Sequence, residues 1–218
     1  MASILFDCDS TLFKIESLEV LLDPLLSTGD TKDAIREITS QGMAGEIPFF
    51  TSLKERLEIA EPNMDDVLRF NDLIADYISD DAEELIVFLL EEGHHVYLVS
   101  GGLKEVIAAL AKHVGLPEEN VYAVSLEWDK DGRFHSVSEE DLMSHSKVDG
   151  LEGEVDEFDP PIIVIGDGMT DARLKDAGIA DLFIAYIEHA QRTSVIEKAD
   201  YVVSNMLELG DLLEELLC

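Results

Sequence analysis

The chain has 218 residues, 46% of them hydrophobic, enough for one domain with a substantial core or for a domain carrying a modest insertion. Its 48 acidic and 15 basic residues give a formal net charge of -33, which argues against nucleic acid and anionic membranes as partners, because phosphate-rich surfaces would be repelled. No apolar run approaches the ~20 residues of a bilayer span and no basic stretch precedes an apolar one at the start, so a soluble, cytoplasmic protein is expected, as a monomer or homodimer. The acidic excess fits a salt-rich cytoplasm or a surface of no special meaning equally well. Cys8 and Cys218 stand at opposite ends and make no disulfide framework, so both are expected as reduced thiols, with Cys8 a small packing residue between two carboxylates.

Ile4, Leu5 and Phe6 form a short unbroken apolar run, the pattern of a strand buried on both faces of a parallel sheet. It spills into Asp7-Cys8-Asp9-Ser10-Thr11. Residues 16–77 then read as four helices in succession, with breaks at Ser27 to Asp30, Gly45 to Pro48 and Glu61 to Asn63. Asp30 or Thr31 opens the second, Pro48 sits in the first turn of the third, and Asn63 with Asp65 and Asp66 opens the fourth. From Asp80 the pattern becomes alternating. A helix over 81–92 precedes the strand His95 to Ser100, then Gly101-Gly102 and a helix from Leu103 to Val114. Val121 to Trp128 follows, with a hairpin turn through Asp129 to Arg133. The strand Ile162 to Gly166 leads into Asp167-Gly168-Met169-Thr170-Asp171. Leu182 to Tyr186 and Tyr201 to Val203 are further strands, and an acidic helix runs from Met206 to Leu217. This order predicts an α/β fold: a doubly wound parallel sheet over 1–13 and 79–218, with a small helical-bundle cap over 14–78 inserted after the first strand.

Polar clusters fall where predicted strands end or in loops beyond them: Asp7/Asp9/Thr11, Ser100-Gly101-Gly102, Lys147 and Asp167/Asp171. Ligands gather beyond the carboxyl ends of parallel strands. Two carboxylates one residue apart in such a crevice raise each other's pKa unless a cation neutralises them, so the pair asks for a metal. Each cluster also has a plain structural explanation. Asp-Cys-Asp-Ser-Thr can be a polar turn with a helix cap, Ser-Gly-Gly a cap, Lys147 an exposed lysine and Gly-Asp-Gly a turn.

Taken together and in this order, these motifs resemble the haloacid dehalogenase superfamily of phosphatases, and within it the phosphoserine-hydrolysing branch. The pattern Asp-x-Asp-x-Thr, Ser-Gly-Gly, a lone Lys and Gly-Asp-Gly-x-x-Asp is met by Asp7 to Thr11, Ser100 to Gly102, Lys147 and Gly166 to Asp171. The resemblance implies Asp7 as nucleophile, forming an aspartyl-phosphate, and Asp9 as the acid that protonates the leaving hydroxyl and then activates water. It implies Mg²⁺ held by Asp7, Asp167 and the backbone carbonyl of Asp9, with Asp171 orienting a metal-bound water. Thr11, Ser100, the amide of Gly101 and Lys147 would hold phosphate, with Gly102 and Thr170 against the substrate. Glu16, Met43, Gly45, Phe49 and Arg56 match the positions around the serine moiety, Glu16 for its ammonium and Arg56 for its carboxylate. By residue type alone Glu16 is a first-turn carboxylate, Arg56 a surface pair in the stretch from Ser52 to Glu58, and Met43 and Phe49 helical-bundle core.

Thr170 stands where many members carry Asn, and Val124-Ser125-Leu126 lacks the Asn-Arg or Asn-Lys pair often found there. The reaction so implied is hydrolysis of a small phosphomonoester, phosphoserine. A related metabolite phosphatase, a phosphotransferase to an alcohol such as homoserine, and a catalytically idle metal-binding protein on the same scaffold are the alternatives.

Overall fold

The computed structural model describes residues 1–44, 46–138 and 140–217, apart from the side chains of Met43 and Ala44. Gly45 and Cys218 therefore lie outside the described residues, as does the side chain of Met43. Six strands, β1 (Ser3–Phe6), β2 (His95–Leu103), β3 (Val121–Val124), β6 (Ile162–Gly166), β7 (Leu182–Tyr186) and β8 (Tyr201–Val203), form one all-parallel sheet in the order β3-β2-β1-β6-β7-β8. The strands β4 (Leu126–Trp128) and β5 (Phe134–Val137) make a separate antiparallel hairpin.

Every residue of β1 and β6 is buried, which is why both read as continuous apolar runs rather than alternating ones. Phe6 pairs in register with Leu98 on one side and Ile165 on the other. The chain winds outward from β1 through β2 to β3, then restarts at β6 and winds the other way. The order therefore reverses between β1 and β6, and a doubly wound sheet leaves its crevice at that switch. Asp7 leaves β1 and Asp167 leaves β6 at this point.

The helix α6 (Ala82–Glu91) packs on β2 and on α11 (Met206–Leu217), α7 (Lys104–His113) covers β2 and β3, and α9 (Met169–Asp176) covers β6 and β7. Two shorter helices, α8 (Lys147–Leu151) and α10 (Thr193–Ile196), lie in the crossovers. Between β1 and α6 the chain forms α1 (Ser17–Leu22), α2 (Gly29–Ala44), α3 (Phe49–Ala60), α4 (Met64–Asn71) and α5 (Ile74–Tyr77). Of the four helices expected here, the last is two: the backbone breaks at Asp72 and Leu73 before α5 restarts. The start of α4 is a capping box, with Asn63 accepting from the Asp66 N–H and Asp66 accepting from the Asn63 N–H at 2.8 Å. Pro48 is the residue just before α3 rather than inside its first turn.

The hairpin found at residues 129–133 turns on Gly132, at φ +74°, with Asp129 Oδ1 accepting from the Asp131 and Arg133 amides. Its tip reaches the helical insert: the Met64 N–H donates to Gly132 O at 2.8 Å and the Phe134 N–H to Pro62 O at 2.9 Å. Among the described residues no helix is long and apolar enough to cross a membrane.

Candidate active site

The turn after β1 sets the first two carboxylates apart. The Asp7 N–H donates to Ile165 O at 2.8 Å, which continues the sheet by one residue. The chain then coils through Cys8–Leu12 with Asp9 extended and Ser10 left-handed at φ 54°. That kink turns Asp9 away from Asp7, and its Oδ1 accepts the Ser17 N–H at 2.8 Å. Burial raises the Asp9 carboxyl to about 7, helped by the charges of Glu16 and Asp7 and opposed by the bond from Ser17. A carboxyl in that range can give up and recover a proton near neutrality. Ser10 Oγ in turn donates to Glu16 Oε1 at 2.7 Å, fixing the carboxylate at the start of α1.

Lys147 is placed by α8, whose first turn is capped by Ser146. Its Nζ lies 2.5 Å from Asp7 Oδ1 and 2.6 Å from Asp171 Oδ1, with all three side chains buried. Burial alone would push the ammonium's pKa down, but Asp171 and Asp7 together more than offset it and the lysine is held charged. Asp171 is raised to about 6 by burial, with Lys147 opposing and Asp7 adding to the rise. Its other oxygen accepts the Gly168 N–H at 3.0 Å, so one side chain both caps α9 and holds the lysine. Gly166 is required here: a Cβ at that position would stand 2.3 Å from Asp171 Cγ.

Asp167 completes the acidic side. Arg192, in the loop before α10, donates from Nη1 to the Asp167 carbonyl at 3.0 Å. The same guanidinium forms an ion pair with Asp167 Oδ2, which accepts no hydrogen bond of ordinary geometry. Asp7, Asp167 and Asp171 each offer an oxygen within 4.8 Å of the others. Three converging carboxylate oxygens, one of them without a hydrogen bond, are a donor set suited to a hard divalent cation such as Mg²⁺. The Asp9 side chain is outside this group.

On the opposite side, Ser100 Oγ accepts the Gly102 N–H at 3.0 Å within the last residues of β2, where the pairing with β3 shifts register between Val99 and Leu103 and the strand makes an irregular loop. Phe49, at the start of α3, presses on that loop: a Cβ at Gly101 would be 3.0 Å from Phe49 Cζ. Ser17 Oγ is 3.4 Å from where a Gly102 Cβ would lie, so Ser17 faces both Asp9 and the loop. Thr11 Oγ1 is buried without a partner. Thr170 is exposed on the first turn of α9.

Arg56 is buried on α3, and its one hydrogen bond among the described residues runs from Nε to Ser52 O at 3.1 Å. Burial lowers its pKa, while the charges of Glu19, Glu16 and Asp9 hold it up. Its burial and its bond to Ser52 O set it apart from the surface pair that its neighbours in sequence suggest.

Sequence reasoning passed over Arg192, Ser17 and Ser10. Arg192 was the most accessible of these, as a rare cation just beyond the carboxyl end of the predicted strand Leu182 to Tyr186. Ser17 contributes a backbone amide, which no residue type advertises.

Comparison with known proteins places this arrangement among relatives. The family model described as haloacid dehalogenase-like hydrolase matches residues 4–174. The chain is 31% identical to a phosphoserine phosphatase of Homo sapiens over 98% of its length and 93% of that protein. It is 30% identical to the phosphoserine phosphatase of Bos taurus, again over 98% and 93%. Among solved structures, a phosphoserine phosphohydrolase-like protein from Francisella tularensis superposes with a TM-score of 0.90 at 38% identity, covering 98% of this chain and 100% of that one.

Proposed function

The chain belongs to the haloacid dehalogenase-like hydrolases, and from that premise we propose that it hydrolyses O-phosphoserine to serine and phosphate through an aspartyl-phosphate on Asp7. The observation that carries the reading is the division of labour between two neighbouring carboxylates. Asp7 Oδ1 is held by Lys147, and its Oδ2 accepts no hydrogen bond among the described residues, which leaves that oxygen to attack phosphorus in line. Asp9, raised to about 7, gives its proton to the departing seryl oxygen; as a carboxylate it then takes a proton from the water that cleaves the acyl-phosphate.

Asp7, Asp167 and the backbone carbonyl of Asp9 would hold Mg²⁺, with Asp171 behind them, and the ion would neutralise phosphate and nucleophile together. Lys147 sets a fixed charge between Asp7 and Asp171 beside the transferring group. Thr11, Ser100 and the Gly101 amide are the donors proposed for the phosphoryl oxygens, with Gly102 and Thr170 beside the substrate.

The helical insert is proposed as the cap that reads the amino acid. Glu16, oriented by Ser10, takes the ammonium and Arg56 the carboxylate, while Phe49 closes over Gly101 and keeps water from the reacting centre. Met43 belongs to the same proposal by its place in the sequence. Initial rates with Mg²⁺ on phosphoserine, phosphoethanolamine, phosphocholine and sugar phosphates test the reading. A strong preference for phosphoserine supports it, equal or absent turnover removes it, and phosphohomoserine formed in the presence of homoserine replaces hydrolysis by transfer.

A further inference from the structure

The chain passes between sheet and helical insert twice, and the crossings pair as an antiparallel bridge between Phe13 and Ile78. The Lys14 N–H donates to Tyr77 O at 2.9 Å, and the Ser79 N–H donates to Leu12 O at 2.8 Å. Ser79, buried at 2% exposure, also donates its hydroxyl to Thr11 O at 2.6 Å, so one residue holds two successive carbonyls of the turn that carries Asp9 and Thr11.

A hydroxyl has a single proton to give. With that proton on the Thr11 carbonyl, the 2.8 Å contact between Ser79 Oγ and His189 Nε2 runs from the ring N–H to the hydroxyl oxygen. The Thr11 carbonyl thus takes the hydroxyl proton, and His189 Nε2, which also lies 3.8 Å from Glu188 Oε2, supplies the second bond that holds the hydroxyl oxygen in that orientation. The ring is itself steadied beside Tyr186, at a centroid distance of 5.8 Å, and the fully buried Tyr186 donates its hydroxyl to Glu188. Burial and the Glu188 carboxylate keep that phenol protonated.

We propose that His189 and Ser79 are positioning residues: a hydrogen-bond relay from His189 Nε2 through Ser79 Oγ to the Thr11 carbonyl sets the turn so that the buried, unpartnered Thr11 hydroxyl meets the phosphoryl group. The relay acts on the part that every phosphomonoester shares, so it is independent of which alcohol leaves. It rests on the phosphatase reading only through the role given to Thr11.

The test compares kcat and KM of the full chain with Mg²⁺ on phosphoserine and on p-nitrophenyl phosphate, for wild type, His189→Leu, His189→Gln, Ser79→Ala and the His189→Leu/Ser79→Ala pair. Losing one such bond is expected to lower kcat about tenfold on both substrates in His189→Leu, with thermal stability within a few degrees of wild type. Glutamine places an amide N–H near the position of Nε2 and is expected to restore kcat to within about threefold of wild type. Adding His189→Leu to Ser79→Ala is expected to cost little more than Ser79→Ala alone, because a broken relay cannot be broken again. Wild-type kcat in His189→Leu, failure of glutamine to rescue, or full additivity of the pair would overturn the relay. A wild type active on p-nitrophenyl phosphate and inert on phosphoserine removes the substrate reading, and the relay is then judged on p-nitrophenyl phosphate alone.

Discussion

The ammonium of Lys147 lies 2.5 Å from Oδ1 of Asp7, buried and 140 residues away in the chain. Replacing it by methionine leaves Asp7, Asp167 and Asp171 crowded, with Arg192 on Asp167 the one cation paired to them among the described residues. Lys147→Met is expected to lower kcat at least about a hundredfold, since a preorganised charge at the reacting group is lost. It is also expected to lower the melting temperature in chelator, with partial recovery on adding Mg²⁺, because a cation then replaces the missing charge. Calorimetry with and without Mg²⁺ checks the second part.

Gly166→Ala places a methyl 2.3 Å from Asp171 Cγ. Asp171 must then leave either the Gly168 amide or Lys147, and the variant is expected to lose about 2–4 kcal/mol of stability in urea titration, in the range of overpacking combined with a broken buried network. Gly153, where an added Cβ meets nothing within 4 Å, serves as the control position.

Arg56→Met and Glu16→Gln separate recognition from chemistry. Both are expected to raise KM for phosphoserine about tenfold or more, while kcat on p-nitrophenyl phosphate, which has neither ammonium nor carboxylate, changes little. A parallel loss on both substrates would place these residues in the chemical step instead.

How much of this was legible in the sequence depended on how local each signal was. Asp7 and Asp9, Ser100 and the run Gly166 to Asp171 are short motifs at the ends of buried strands, and strand periodicity alone put them at one edge. Lys147 begins a five-residue helix too short to leave a periodic trace; by residue type it reads equally as an exposed lysine, and the family resemblance is what gives it a role. The pairing of Ser79 with His189 spans 110 residues and that of Arg192 with Asp167 spans 25. Neither follows from the composition of either stretch, because each depends on the segment after β7 meeting another part of the chain. The break at Asp72 and Leu73 was hidden for another reason: no Gly or Pro stands there to mark the end of one helix and the start of the next.

The Cys8 thiol is held well above its usual pKa by burial and by the charges of Asp7 and Asp9. It is expected to resist iodoacetamide in the native protein and to react promptly in urea. Peptide mapping of the alkylated protein reads this out. Rapid native labelling at Cys8 would contradict the packing of the turn.

Asp200 ties β8 to β7. Burial pushes its carboxyl up, but the bonds from Lys175 and from the Phe183 N–H, the latter at 2.8 Å, outweigh it and the group sits below its usual 3.8. A depressed folded pKa stabilises the protein above the unfolded value, and that stabilisation fades as pH falls through the folded one. The stability gap between wild type and Asp200→Asn is therefore expected to be full at pH 6 to 7 and to close below about pH 4 in urea titrations.

The central claim is that Asp7 takes the phosphoryl group, and acid quenching of the enzyme during turnover of ³²P-labelled phosphoserine tests it most directly. The account predicts an acid-stable, hydroxylamine-sensitive label on the N-terminal peptide that carries Asp7, absent in Asp7→Asn along with turnover. Label on another peptide, or label and turnover surviving in Asp7→Asn, would contradict it.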